Sequence, residues 1–218
     1  GDVRDKEAVE KVVARGVDYI FHMAALKHVP ICENHPQEAI KTNIDGTTNI
    51  INASIKYKVK KVIDVSTDKA VSPTNLYGFT KAVGEKLIIQ ANNLTDATNF
   101  VCIRGGNVLG SNGSVVPLFI EQLKKFNKLY ITSKLMTRYF LTLSDAISLL
   151  FFATESSVGG ETYVMNMPSF YMVDLAKVLV EHYGNVDTMI EEVGIREGEK
   201  LNELLISEHE APRSYVFD

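Results

Sequence analysis

Cysteine is scarce in this chain: two thiols, Cys32 and Cys102, in 218 residues. Their spacing is not that of a metal site, and each lies in or near an apolar segment. Reduced thiols of a cytoplasmic protein are therefore expected, with a disulfide open but unforced. Long apolar runs are missing as well. The longest, Leu149 to Ala153, falls far short of the ~20 residues that cross a bilayer, and there is no signal-peptide pattern. A basic bias is also lacking. The net charge is -4 with no long run of Lys or Arg, which removes the electrostatic footprint of a nucleic-acid binder. The lysines at 56, 58, 60 and 61 read as a solvated helix end before a strand. No repeat or low-complexity tract appears. The chain does not begin with methionine, and Gly1 to Asp5 reads as the exit of a strand, so preceding chain is expected.

What is present is an ordinary globular composition, 45% hydrophobic and 23% charged, long enough for a real core. Strand and helix signals alternate. Val17–Ala25 is apolar and aromatic enough for a buried strand, and Pro36 opens a helical pattern running through Ala53. Strands are expected at Lys61–Ser66 and Phe100–Arg104, with a helix at Tyr77–Asn93 between them. This alternation predicts a parallel sheet with helices on both faces. After Gly105 a loop-rich passage through Gly110–Ser114 breaks the pattern. Beyond it come helices at Pro117–Lys125, after Asp145 and at Val173–Tyr183, and strands at Tyr130–Thr132 and Thr162–Asn166. The expected division is a partial dinucleotide-binding domain at 1–107 and a mainly substrate-binding lobe at 108–218, with some segments returning to the sheet.

The chemistry concentrates at Ser66-Thr67-Asp68-Lys69 and at Tyr77 and Lys81. Tyr and Lys four apart on a helix share a face, and an ammonium beside a phenol favours the phenolate, a base. The spacing occurs three times, at Tyr57/Lys61, Tyr77/Lys81 and Tyr130/Lys134. Only Tyr77/Lys81 opens a long helix and follows a strand whose carboxyl end carries hydroxyls, where ligands of open α/β sheets bind. Asp68 and Lys69 lie between those hydroxyls and the tyrosine, supplying an acid and a base where elimination would need them. His28 and His35 have no evident partner and read as structural or solvated.

STDKAVSPTNLYGFTK (66–81) with HMAALKHVP (22–30) resembles the extended short-chain dehydrogenase/reductases. More narrowly it resembles the inverting UDP-N-acetylglucosamine 4,6-dehydratases of bacterial polysaccharide and flagellin-sugar synthesis. GNVLGSNGSVVP (106–117), MTRYFLTLSDA (136–146) and GIREGEKLNELLIS (194–207) extend the match along nearly the whole chain. The resemblance implies a Rossmann-type sheet lacking its first βαβ portion, plus a small substrate-binding lobe. It further implies NADP (or NAD, since the selecting residues are not in the chain), a UDP-sugar substrate and a homo-oligomer. Catalytic roles fall on Thr67, Asp68, Lys69, Tyr77 and Lys81. Tyr77, aided by Lys81 and Thr67, would take the C4 hydroxyl proton, Lys69 the C5 hydrogen, and Asp68 would protonate the departing C6 hydroxyl.

Cofactor contacts implied in the same way are Asp2, Val3, Ala24, Ala25 and Lys27, with Tyr77 and Lys81. Substrate contacts are Lys27, Asn107, Val108, Val116, Arg138, Arg196 and Glu199, the two guanidiniums suiting a diphosphate. The family's phosphate-binding glycine turn is not found, and Gly105–Gly113 is wrongly placed to replace it. About sixty residues are missing by analogy with a complete mononucleotide-binding half. A UDP-sugar 4-epimerase and a catalytically silent nucleotide-sugar-binding module therefore stay open beside the dehydratase.

Overall fold

The computed structural model describes residues 1–111 and 113–217; Asn112, in the glycine-rich passage, lies outside the described residues. In chain order the elements begin with α1 (Lys6–Val13), β1 (Tyr19–His22), α2 (Val29–Asn34), α3 (Pro36–Ile40), a π-helical turn (Lys41–Asp45) and α4 (Gly46–Tyr57). There follow β2 (Lys61–Thr67), α5 (Leu76–Ala91), β3 (Asn99–Gly105), β4 (Asn107–Val108), α6 (Val115–Phe126), β5 (Lys128–Ile131) and β6 (Thr137–Leu141). The last are α7 (Leu143–Ser156), β7 (Thr162–Val164), β8 (Ser169–Tyr171), α8 (Met172–Tyr183) and β9 (Met189–Glu192). No helix among the described residues is long and apolar enough to cross a membrane.

The contacts divide the chain into two compact units. The first holds residues 1–105, 147–165 and 204–218, the second 106–146 and 166–203. The sheet of the first unit runs β1-β2-β3-β7, all parallel, a Rossmann-type arrangement. β2 and β3 are buried along almost their whole length, as central parallel strands covered on both faces must be. One core lies under α1, α4 and α5, built on Val9, Val13, Ile50, Ile51, Ile88 and Phe100. Another joins Ile63, Val101 and Ile103 to Leu149, Leu150 and Ala153 of α7. Among the described residues no strand pairs with the outer edge of β1, where Tyr19 and Phe21 are exposed.

Local signals explain the boundaries. Asp5 caps α1, accepting from the Ala8 N–H at 3.0 Å, and Val9 and Val13, four apart, bury one stripe. β1 is shorter than the expected Val17–Ala25. Asn43 takes both backbone groups of Leu26, accepting its N–H at 2.8 Å and donating to its carbonyl at 3.0 Å, so this stretch has no need of a neighbouring strand. The expected Pro36–Ala53 helix is instead α3, the π turn and α4 in succession, reaching Tyr57. The solvated reading of Lys61 is corrected. Its ammonium donates to the Thr154 and Ser157 carbonyls at 2.6 and 2.8 Å, capping the carboxyl end of α7, where a cation meets the helix dipole.

In the second unit β4 and β8 flank β6, and β5 pairs with β9 in parallel. Phe119, Leu123, Leu129, Ile131, Phe140 and Leu179 fill the core beneath α6 and α8, and the Phe140 and Phe170 rings stack at 4.3 Å. Gly106 is required by proximity: a Cβ there would stand 2.8 Å from the Tyr139 carbonyl oxygen.

Candidate active site

The carboxyl end of β2 delivers three of the sequence-predicted residues in one turn. Thr67 ends the strand in an extended conformation, and residues 68–70 coil into a single 3₁₀ turn. The Thr67 hydroxyl donates to Asp68 Oδ1 at 3.0 Å, and the Lys69 ammonium donates to the same oxygen at 2.9 Å. Asp68 is fully buried, yet its Oδ2 has no hydrogen-bond partner among the described residues. A buried carboxylate oxygen left in that state carries a cost of about 1–3 kcal/mol or more. The site therefore gains when a donor from a ligand reaches it. Ser66 Oγ is buried and likewise without a partner.

α5 supplies the phenol. Asn75 caps it, accepting from the Gly78 N–H at 2.9 Å. Gly78 is glycine for a steric reason: a Cβ would lie 2.4 Å from the Lys69 carbonyl oxygen and 3.0 Å from Pro73. That close approach sets the first turn of α5 against the Asp68–Lys69 turn, with Tyr77 beside it. Burial raises the phenol's pKa. Lys81, Lys69 and a hydrogen bond with Thr67 pull it back without cancelling the rise, and Asp68 adds to it. Lys81 is buried one helical turn on, with its ammonium 3.3 and 3.2 Å from the two oxygens of Asp64. Burial works against that charge, but Asp64 and Tyr77 more than compensate and its pKa is raised. Tyr57 and Lys61 lie on a helix and the next strand, and Tyr130 lies in β5 with Lys134 beyond its end, so only Tyr77 and Lys81 share a helix.

Sequence reasoning missed the layer behind these groups. Parallel register sets His22, Asp64 and Cys102 side by side on β1, β2 and β3. Thr47 gives its hydroxyl proton to the Asn43 carbonyl at 2.7 Å, so the His22 Nε2, 3.0 Å from that hydroxyl, must donate to it. Burial lowers the His22 pKa, consistent with a neutral ring, and raises that of the Cys102 thiol far above its usual value. Asn43 also donates to the Thr80 hydroxyl at 2.9 Å, tying the loop after β1 to α5. The π turn that aims Asn43 has no signature in a hydrophobic pattern.

The residues expected at a cofactor are dispersed. Ala24 is exposed and Ala25 half-buried in the loop after β1, and Lys27 is exposed in the same loop. Asp2 is engaged by Arg4, whose side-chain and backbone hydrogen bonds hold its carboxyl at about 2. Val3 packs on Gly46, where a Cβ would stand 2.7 Å from its Cγ2. Ala24 and Ala25 are small and follow the parallel strand β1, which leaves room for the flat nicotinamide end of a dinucleotide beyond its carboxyl end. Among the described residues no glycine-rich turn joins a strand to a helix in this unit to receive a diphosphate.

The second unit contains a cavity of about 200 Å³ whose walls include Asn107, Tyr130, Arg138, Met172, Arg196 and Glu199. Four of these were expected as substrate contacts; Val108 and Val116 are not in its wall, whereas Val115 is. Gln122, Tyr130 and Thr132 join it from α6, β5 and the residue after β5, and their side chains converge only through tertiary packing. The guanidinium of Arg138 is already committed, donating to the carbonyls of Thr137, Leu201 and Lys200 at 2.7, 3.0 and 3.0 Å. Arg196 is exposed. It opens a turn that Gly198 completes at φ 78 and that brings Glu199 to the wall, its Oε2 buried and without a hydrogen-bond partner among the described residues.

The chain is similar to several known proteins. Over 221 aligned residues the chain is 44% identical to a UDP-N-acetylglucosamine 4,6-dehydratase (inverting) of Campylobacter jejuni, covering 100% of this chain and 64% of that protein. A UDP-glucose 4-epimerase of Rickettsia akari is 44% identical over 98% of this chain and 63% of its own length. The chain thus spans somewhat under two thirds of these curated relatives. The X-ray structure of Pen from Bacillus thuringiensis superposes with a TM-score of 0.95 at 41% identity, over 100% of this chain and 69% of that one. A family model described as polysaccharide biosynthesis protein matches residues 1–218, so the chain, throughout its length, belongs to the polysaccharide biosynthesis protein family.

Proposed function

We propose that the full-length protein is an NADP-dependent, inverting 4,6-dehydratase of UDP-N-acetylglucosamine that yields a UDP-4-keto-6-deoxy amino sugar for surface polysaccharide or glycan synthesis in the cytoplasm. The observation that carries this reading is the Thr67–Asp68–Lys69 turn held against Tyr77, with the Asp68 Oδ2 buried and unpartnered. An enzyme that only oxidises or epimerises at C4 needs the phenol and its lysine; it has no task for a buried acid beside an amine.

Ala24, Ala25, Lys27, Tyr77 and Lys81 would hold the nicotinamide end of a dinucleotide, with Asp2 and Val3 on its adenosine side, and the group would supply reversible two-electron oxidation. The protein's own residues manage the protons. Tyr77, with Lys81 and Thr67, receives the C4 hydroxyl proton. A ketone at C4 then acidifies the C5 hydrogen, whose removal is assigned to Lys69 once its ammonium has released a proton. Asp68 protonates the C6 hydroxyl, and water leaves. Return of the proton to the opposite face of C5 inverts that centre. In the second unit Arg196 is assigned to the diphosphate and Glu199 to ribose hydroxyls, with Asn107 and Arg138 in the cavity wall. Helices α4 and α5 are assigned to a homo-oligomer contact. The similarity to UDP-glucose 4-epimerases keeps 4-epimerisation as the second reading. Incubation of the full-length protein with UDP-N-acetylglucosamine, followed by NMR, separates the two. Loss of the C6 hydroxyl with a methyl doublet is expected, and a product that keeps its C6 hydroxyl sinks the dehydratase.

A further inference from the structure

Asp64 is an anion set into an apolar wall. Along β2 the side chains of Val62 and Asp64 share one face and that of Ile63 takes the other. Val62 belongs to the core beneath α4 and α5, and Ile63 to the core with α7. Asp64 is fully buried, and the Lys81 ammonium lies 3.3 and 3.2 Å from its two oxygens. Lys81 is itself only 3% exposed. Replacing a buried ion pair by apolar residues of like volume often costs a fold nothing, so stability alone does not account for this one. The other carboxylates near α5 are committed elsewhere. Glu85, one turn beyond Lys81, is held by Arg104 at 3.1 and 2.7 Å, and Asp68 by Thr67 and Lys69. Glu33 of α2 accepts from the Leu76 N–H at 2.6 Å, at the start of α5. Asp64 is the carboxylate that falls to Lys81.

We propose that Asp64 is a positioning residue: it holds Lys81 as a fixed ammonium on the Tyr77 face of α5, so that the phenol meets a positive charge whenever it acts as the base. This rests on Tyr77 being the base of C4 oxidation, as proposed above, and on no step of the elimination. It holds equally for a dehydratase and a 4-epimerase. Tyr77 and Lys81, four apart, share one helical face, and both are buried. Burial favours a neutral amine, and a flexible four-carbon stem lets the nitrogen wander. A carboxylate within reach of that nitrogen through both oxygens opposes both tendencies. Burial works against the Lys81 charge, and Asp64 is the first of the groups that restore it. Burial likewise raises the Tyr77 pKa, and Lys81 is the first group to oppose that rise. A lysine that shed its proton would oppose it no longer. The remaining titratable groups around the pair leave Asp64 to Lys81. His22 on β1, its Nε2 3.9 Å from Asp64 Oδ1, donates to Thr47 of α4, and burial lowers its pKa. Burial holds Cys102 on β3 as the thiol. Arg104 is taken by Glu85, Lys69 by Asp68, and the π turn offers the uncharged Asn43. Cys32 of α2, packed with Tyr77, is raised by burial.

The test compares full-length wild type with Asp64→Asn, which keeps the shape and removes the charge, and with Asp64→Glu, which keeps the charge. C4 oxidation of the UDP-sugar, read by nicotinamide absorbance, is followed from neutral to alkaline pH. In wild type and Asp64→Glu the rate is expected to rise with pH and then hold level. In Asp64→Asn it is expected to turn down on the alkaline side as Lys81 loses its proton, ending about tenfold or more below wild type. A loss of equal size at every pH assigns Asp64 to the fold alone and overturns the proposal, as does an unchanged profile. A second readout needs no turnover. With ¹³C-labelled lysine, the Lys81 Cε resonance is assigned by its absence from Lys81→Arg. It is expected to titrate above free lysine in wild type and below it in Asp64→Asn. Titration at the same pH in both proteins overturns the proposal. If neither variant folds, wild type alone decides, because a Lys81 that loses its proton below free lysine is not held by Asp64. If the full-length protein oxidises no UDP-sugar while the Lys81 shift is found, Asp64 holds the ammonium and the proposed function falls by itself.

Discussion

Asp68 and Lys69 are adjacent in sequence but differ in what surrounds them, and that difference sets what each can do. Asp68 is fully enclosed, with one oxygen held by Thr67 and Lys69, whereas the Lys69 side chain keeps about a fifth of its surface open. Replacing Asp68 by Asn keeps the shape and removes the acid. The expected outcome is retained oxidation at C4 with elimination reduced by about a hundredfold or more, seen by NMR as C4 chemistry with the C6 hydroxyl kept. Lys81 makes a contrasting case. Lys81→Met leaves the buried Asp64 charge alone, a change expected to cost about 3–5 kcal/mol, while Asp64→Asn with Lys81→Met recovers most of it. Denaturant melts of the two variants check this, and an equal loss in both would show that the ion pair is not what the fold depends on.

At the scale of elements, the approach of α5 to the turn after β2 is the feature on which the site turns. Gly78→Ala would drive a methyl group into the Lys69 carbonyl. Activity is expected to fall by at least about tenfold, as misplacement by an ångström can cost more than that, with a smaller change in melting temperature. Asn43→Ala removes both bonds to Leu26 and the one to Thr80. Each stranded buried group costs about 1–3 kcal/mol, so a clear drop in the denaturation midpoint is expected. The two residues also show what a sequence can and cannot disclose. Tyr77, Lys81 and the residues following β2 were legible because helical spacing and strand alternation are local. Asn43 was not, because its role depends on a π turn and on a loop seventeen residues away. Asp64 drew no reading from the sequence; only the parallel register that sets it between His22 and Cys102, with Lys81 on α5 reaching it, gives it a partner. α1 was missed although Asp5 and the Val9/Val13 stripe were in plain view, and the short strands β4, β6, β8 and β9 carry too few residues for a pattern.

Across the whole molecule, the final segment of the first unit is secured by one buried cation. Arg104 donates to both oxygens of Glu85 at 3.1 and 2.7 Å, to both of Glu210 at 3.2 and 3.0 Å, and to the Leu205 carbonyl at 2.7 Å. Burial alone would raise the Glu210 carboxyl; the Arg104 and Ser207 hydrogen bonds outweigh it and hold it at about 2. A folded pKa below the unfolded value of about 4.3 stabilises the fold above that pH and loses its effect as pH falls toward 2. Glu210→Gln is expected to lower the melting temperature at pH 7, with the gap from wild type closing on acidification; a gap independent of pH would assign the effect to packing.

The bare outer edge of β1 bears on how the 218-residue chain behaves in a test tube. Among the described residues no strand pairs with this edge, beside exposed Tyr19 and Phe21, and an unpaired strand edge is a template on which further strands can stack. At millimolar concentration, light scattering should reveal growing particles rich in intermolecular sheet. Phe21→Lys, which places a charge on that rim, should keep the solution clear without touching a single residue of the reaction.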